Sequence, residues 1–304
     1  MFYKVIDDTL VLSKKSSLMI KEELKDLFPS RKLIYSLLNE ATLNDKRIIN
    51  NPLFDGELKI PLHYISCPKE DLADIVYEDE FFVVAYKPKE LLVHSDGNND
   101  ITLTELVSKT VGYKVQAAHR LDYLTDGLVL FLKTPILEPY IDIALQRKDI
   151  KRVYYALCKT KNKPLKEYCF KDKIGKDRHD AHKRRVSKTG QEAITHVQTI
   201  AFNKQEVLFR CTLQTGRTHQ IRVHLSYHHF PIINDPLYGI KDKNYDDMAL
   251  TAYQLTFYHP LKEEMITLTS PIKNDYLRKY KEVLKWIKQM LCVNLIKLKS
   301  AIKH

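Results

Sequence analysis

Two apolar runs, Val115–Ala118 and Leu128–Leu132, bracket the nonapeptide His119-Arg120-Leu121-Asp122-Tyr123-Leu124-Thr125-Asp126-Gly127. Runs this short read as strands buried in a sheet, because a helix or a membrane span needs a longer periodic stretch. The polar segment between them is therefore expected to be a loop fixed at both ends by a core, with Asp126-Gly127 as its strongest turn signal. Within it, Asp122 has an arginine two residues before it. Such a carboxylate can be a nucleophile or a general base if a cation keeps it ionised. It can equally cap a neighbouring backbone N–H, the commoner fate of a turn aspartate. The loop taken alone leaves both open.

A chain of 304 residues has room for one large domain and a small one. With 44% hydrophobic and 29% charged residues it has the composition of a soluble globular protein. No apolar run approaches the ~20 residues of a membrane span, and the N-terminal stretch lacks the basic-then-apolar layout of a signal peptide. Five widely spaced cysteines without a C-x-x-C pair argue against a disulfide framework or a zinc site. The expected location is the cytoplasm.

The net charge of +11 is concentrated. Residues 147–190 hold 16 Lys/Arg against 5 Asp/Glu, leaving 33 of each sign elsewhere. One segment thus carries the whole excess, which suggests a polyanionic partner; a solvated basic surface is the alternative. No sustained amphipathic helix runs through it, so a membrane partner is not expected.

Residues 1–65 read as a separate small module. Leu24, Leu27 and Phe28, then Leu33, Ile34, Leu37 and Leu38, recur as on two short amphipathic helices, with Ser30 as an N-cap. A turn-rich hairpin follows over 41–60, and Pro61 to Leu72 reads as a linker. The second domain opens with a buried-strand run, Phe81–Tyr86, closed by Lys87-Pro88. Lys151–Leu157 alternates like a strand and places Tyr154 and Tyr155 on opposite faces. Thr218 can cap a helix on which Ile221 and Leu225 share the buried side. His219, His224, His228 and His229 lack the spacing of a metal frame. Residues 276–304 form a Lys-rich helical extension whose basic side reads as a solvated face.

The nonapeptide resembles the signature loop H-R-L-D-x-x-T-S-G of the RluA-type pseudouridine synthases, in which the aspartate is catalytic. Asp126 stands where that family has a small Ser or Thr, and is expected to bind loop backbone N–H groups as Ser would. Further motifs follow in the family's order. Ile75-Val76-Tyr77-Glu78-Asp79 with Lys87-Pro88 is similar to "V-Y-E-D…V-V-x-K-P", and Lys151–Ala156 to "K-x-Y-x-A". Gly190–Thr195 is similar to "G-K-x-A-x-T", with Gln191 for Lys. Thr215–His224 matches "T-G-R-T-H-Q-I-R-x-H", and Asp235–Gly239 with Leu250–Pro260 resembles the closing motifs. The resemblance covers residues 72–275. Residues 1–65, through Ser30-Arg31, Leu37-Leu38, Leu43-Asn44 and Asp55-Gly56-Glu57, resemble an S-four-type RNA-binding domain.

What the resemblance implies is an α+β fold with a mostly antiparallel sheet, a small N-terminal α/β module, and isomerisation of uridine to pseudouridine in RNA without metal or cofactor. Asp122, Tyr154 and Arg222 would be the catalytic set: Arg222 pairs with Asp122, and the ring of Tyr154 packs on the target uracil. Arg120 would fill the stack that the flipped base vacates. Lys183, Arg184, Arg185, Arg217 and His219 would contact RNA, while His94 would be structural or at the substrate rim. Large-subunit ribosomal RNA is the expected substrate and a monomer the expected state. A transfer-RNA synthase and an inactive RNA-binding module on the same fold are the alternatives.

Overall fold

The computed structural model describes residues 2–97 and 101–287, so the last 17 residues of the expected C-terminal extension lie outside the described residues. The chain forms two compact units, one of Met1–Arg152 with Ala252–Ser270 and the other of Val153–Thr251 with Pro271–His304.

In the first unit, β1 (Phe2–Ile6) and β2 (Thr9–Met19) make an antiparallel hairpin. Its two-residue loop, Asp7-Asp8, has φ of 45° and 58°, the positive values that a tight hairpin turn requires. The short α1 (Ile20–Glu23) is followed by α2 (Arg31–Glu40), where Ser30 accepts the Leu33 N–H and so supplies the expected N-cap. Strands β3 (Thr42–Leu43), β4 (Lys46–Arg47) and β5 (Leu53–Pro61) complete a sheet of order β1-β2-β5-β3-β4. Asn44 and Asp45 turn the β3–β4 hairpin at φ of 50° and 60°. The Asn44 amide then crosses to β5, bonding Asp55 O at 2.9 Å and Glu57 N at 2.9 Å. Gly56 admits that amide, since a Cβ at Gly56 would lie 2.0 Å from it.

Residues 63–73 hold no regular element but are tied along α3 (Leu103–Val111): Cys67 N to Gly112 O, Glu70 N to Lys109 O, and the N–H groups of Leu72 and Ala73 to Thr110 Oγ1. Strand β6 (Asp74–Glu78) leads into β7 (Phe82–Lys87), buried at every position, as is β9 (Asp126–Leu132) beyond the short β8 (Gln116–Ala117). Asp79 closes the β6–β7 turn by accepting the Phe81 and Phe82 N–H groups at 2.9 and 2.8 Å. Burial raises its pKa, but hydrogen bonds from His259, Tyr77 and those two amides outweigh burial and hold the carboxyl well below the usual range. Helix α4 (Glu138–Arg147) follows β9.

In the second unit, β10 (Lys151–Lys159, from Val153), β11 (Glu167–Phe170), β14 (Thr195–Asn203) and β15 (Glu206–Leu213) form an antiparallel sheet in the order β11-β14-β15-β10. A small hairpin, β12 (Ile174–Lys176) with β13 (Arg184–Val186), lies between β11 and β14 in sequence. Helix α5 (Gln220–Tyr227) follows β15. Strand β16 (Leu250–His259) returns the chain to the first unit, where it pairs with β17 (Glu264–Thr269); α6 (Asp275–Lys279) ends the labelled elements.

One apolar cluster fills the first unit. It runs from Leu10, Leu12, Phe28, Leu38 and Leu58 through Phe81, Phe82 and Leu130 to Phe257 and Ile266. The N-terminal sheet and helices therefore share a core with β7, β9 and β16. This is the expected α+β, mostly antiparallel architecture. Among the described residues no helix is long and apolar enough to cross a membrane.

Candidate active site

The Asp122 loop is positioned from below by β7 and β9, whose register sets Lys87 opposite Gly127. Gly127 has φ of +123°, and a Cβ there would lie 2.2 Å from Ala252 O, so no other residue fits the start of β9. The Thr125 N–H bonds Asp122 O at 3.0 Å, closing the turn on the aspartate. Asp122 itself is half-buried, between buried Leu121 and exposed Tyr123.

Lys87 lies under the loop with no exposed surface. Its ammonium donates to Pro88 O and Leu91 O at 2.8 Å and to Tyr123 O at 3.0 Å, one carbonyl for each N–H. Burial lowers its pKa to about 8, against the opposing pull of Asp126 and Asp122. The lysine thus ties the segment after β7 to the residue beside Asp122 and places a positive charge within reach of both carboxylates. Asp126 is fully buried and accepts the Tyr86 hydroxyl at 2.8 Å. Asp126 was expected to bind loop backbone N–H groups; one partner is instead a phenol on the neighbouring strand.

His119 accepts the Leu130 N–H at Nε2, 3.3 Å away, which places its proton on Nδ1. Burial, and then Arg152, push its pKa down to about 3. Arg120 is exposed and lowers the pKa of His94 after burial does.

In the second unit Tyr154 and Tyr155 are both buried in β10, opposite Cys211 and Arg210 of β15. Helix α5 carries Ile221 and Leu225 inward as expected, but it begins at Gln220 with His219 at the N-cap position (φ 58°), so Thr218 is not the cap. The Gln220 side chain organises the turn in its place. It accepts the Thr215 hydroxyl and the Arg217 N–H at 2.7 and 3.0 Å and donates to Ile194 O and Thr195 Oγ1. Thr195 continues to His224 Nδ1 at 2.8 Å, and His224 Nε2 reaches Asp172 O at 3.1 Å. Because a carbonyl only accepts, Nε2 holds the proton and Nδ1 receives the threonine hydroxyl. His224 is thus a neutral framework residue, and burial lowers its pKa.

Arg222, 4% exposed, forms a two-point ion pair with Asp235. Asp235 also accepts the N–H groups of Leu237 and Tyr238. The Tyr238 hydroxyl lies 2.7 Å from Arg184 N and 2.9 Å from His219 Nδ1. Arg184 and Arg217 line one cavity, whereas Lys183 and Arg185 lie 3.9 Å from Asp180 and Asp177.

The family model for RNA pseudouridylate synthase matches residues 81–227, from the strand below the Asp122 loop to the end of α5. The chain is 35% identical over 217 residues to the uncharacterized RNA pseudouridine synthase YhcT of Bacillus subtilis, covering 68% of this chain and 71% of that protein. It is 33% identical over 227 residues to ribosomal large subunit pseudouridine synthase D of Neisseria meningitidis serogroup B, covering 68% of this chain and 60% of that one. The chain belongs to the RNA pseudouridine synthase family. Its fold is also that of human RNA pseudouridylate synthase domain containing 1, with a TM-score of 0.57 at 20% identity over 67% of this chain and 86% of that one.

Within this pseudouridine synthase the motif residues divide between framework and surface. Gln220, His224, Asp235 and Gly127 hold backbone in place, and Arg217 is exposed. Lys87, Tyr86, Gln220 and Asp235 carry no local signal of these contacts, because each partner is distant in the chain or is a backbone group. Among the described residues no group of three His, Cys, Asp or Glu is arranged to hold a metal ion.

Proposed function

We propose that this synthase isomerises uridine in large-subunit ribosomal RNA, with Asp122 as the reacting carboxylate, Arg222 as the cation that keeps it ionised, and Tyr154 as the ring packed on the uracil. In the reaction the C1′–N1 glycosidic bond breaks, the uracil turns, and a C1′–C5 bond forms. The C5 proton leaves to solvent and N1 takes one up, so mass is unchanged. The observation that carries the reading is the Asp122 loop: a half-buried carboxylate in a turn fixed by Gly127, Thr125 and the buried Lys87 ammonium.

The ribosomal assignment is supported by the Neisseria relative, a ribosomal large subunit pseudouridine synthase, and by the basic segment 147–190. Residues 1–65 are assigned to RNA binding as an S-four-like module, with 72–275 as the catalytic domain and 276–304 as a basic extension. Arg120, Lys183, Arg184, Arg185, Arg217 and His219 are assigned to RNA contact. The enzyme acts as a monomer in the cytoplasm and needs no metal.

Tritium release from RNA carrying 5-tritiated uridine tests the reaction directly. Release from ribosomal RNA transcripts and not from transfer RNA is expected. Release from transfer RNA alone would overturn the target, and RNA binding without any release would make this an inactive binding module.

A further inference from the structure

The second unit holds a cavity of about 400 Å³ whose lining is cationic and hydroxylic: Lys176, Arg184 and Arg217 with Thr189 and Thr218, set among glycines 175, 190 and 216. No carboxylate lines it, and among the described residues none of the three cations is in an ion pair. The two acids of the β12–β13 connection are engaged elsewhere. Asp177 accepts the His179 N–H at 2.9 Å and lies 3.9 Å from Arg185, and Asp180 lies 3.9 Å from Lys183. Three like charges converging without an anion repel one another, and an oxyanion bound between them reverses the sign of the interaction.

The walls of the cavity are fixed. Ile174 and Gln191 exchange backbone hydrogen bonds at 2.9 Å, clamping the 187–191 turn to β12. Gly190 makes that contact possible, since a Cβ there would lie 2.5 Å from the Ile174 carbonyl carbon. The Tyr238 hydroxyl holds β13 through Arg184 N, and Gln220 holds the opposite turn through Arg217 N. Both guanidinium groups are oriented by carbonyls, Arg184 Nη1 on Ala181 O and Lys183 O and Arg217 Nε on Glu192 O. Side chains already oriented lose less freedom when a ligand arrives.

We propose that this cavity seats a single phosphodiester of the RNA backbone, its oxygens held jointly by Lys176, Arg184 and Arg217 with the Thr189 and Thr218 hydroxyls as further donors. The inference rests on the reading of RNA as substrate and adds a discrete phosphate seat built where the basic segment 147–190 meets the 216–218 turn. Three cations on one phosphate act as one contact in the salt dependence of binding. Cations spread along a backbone act as three.

The test measures the salt dependence of oligouridylate binding for the wild-type chain and for the triple variant Lys176→Gln/Arg184→Gln/Arg217→Gln. The logarithmic slope should fall by ~0.7, the share of one single-strand phosphate. A fall of about two units, or none, overturns the seat. Lys188→Gln removes an exposed charge that does not line the cavity; a fall equal to that of Arg217→Gln alone would show a diffuse field and overturn it too. In a parallel arm, the amide resonances of Gly175 and Gly190 are followed during titration with inorganic phosphate and with oligouridylate. Both ligands should shift them, and oligouridylate should displace phosphate. Failure to displace would mark a site for free phosphate and overturn the backbone assignment. Tritium release by the wild-type chain, measured separately, reports on the synthase reading, so a failed seat and a failed reading are told apart.

Discussion

Arg222 and Asp235 meet as a buried fork, Nε to Oδ2 and Nη2 to Oδ1 both at 2.8 Å, with side chains 4% and 0% exposed. Asp235 also caps the turn that follows it through Leu237 N and Tyr238 N. The proposed catalytic arginine is therefore held by a residue 13 positions away that fixes its plane. A lysine offers a point charge and could not reproduce that plane.

Asp235→Ala leaves a guanidinium buried without this carboxylate and should destabilise the protein by about 3–5 kcal/mol. Urea melts of variant and wild type measure it. Arg222→Lys should retain RNA affinity more than turnover. A fully stable Asp235→Ala protein would show that the pair does not anchor α5.

His119 predicts an acid-sensitive loop. Unfolded, its ordinary pKa is 6.5, whereas in the fold it is pushed down to about 3. Between these values the unfolded chain binds the extra proton and the folded chain does not. Stability from this group is therefore fully present above pH 6.5 and falls as pH drops toward 3. His119→Gln should flatten that part of the stability profile, read by thermal melting across the window. An unchanged profile would remove His119 as the cause.

Strands β7 and β9 were legible because their apolar residues run together, and β10 because its residues alternate. Of the Phe81–Tyr86 run, Phe82–Tyr86 lies in β7, while Leu128–Leu132 lies in β9 and Lys151–Leu157 in β10. Ser30 was readable as a cap because its partner is three residues away. Strands β1 and β2 were not read, since among described residues 2–19 only Leu10, Val11 and Leu12 are buried apolar positions and the pairing partner β5 is some forty residues later. The Thr218 cap failed because Gln220, inside the helix, satisfies the preceding N–H through its side-chain oxygen. Asp235 was quoted as part of a turn motif, yet its bond to Arg222 is a tertiary contact that no local spacing encodes.

Lys87→Met tests the support beneath the loop. The substitution keeps an unbranched side chain but removes donors from three carbonyls, at about 1–3 kcal/mol for a buried group left unsatisfied. Turnover should fall while RNA affinity changes little, because Lys87 has no exposed surface with which to meet RNA. Equal losses in affinity and turnover would mean that Lys87 contacts RNA.

The two carboxylates of the loop separate by substitution. Asp122→Asn keeps the size of the side chain and removes the charge that attack or proton abstraction requires. Pseudouridine formation should fall below detection, while RNA affinity stays within tenfold, about 1.4 kcal/mol, since phosphate contacts and stacking carry binding. Asp126→Asn meets a different environment: the side chain is fully buried and accepts the Tyr86 hydroxyl. An amide oxygen can accept that same bond, so most turnover should survive with some loss of stability, and Tyr86→Phe should show the same pattern. Tritium release and thermal melts on the three variants decide the assignment. Normal turnover by Asp122→Asn together with its loss in Asp126→Asn would move the chemistry to the buried carboxylate.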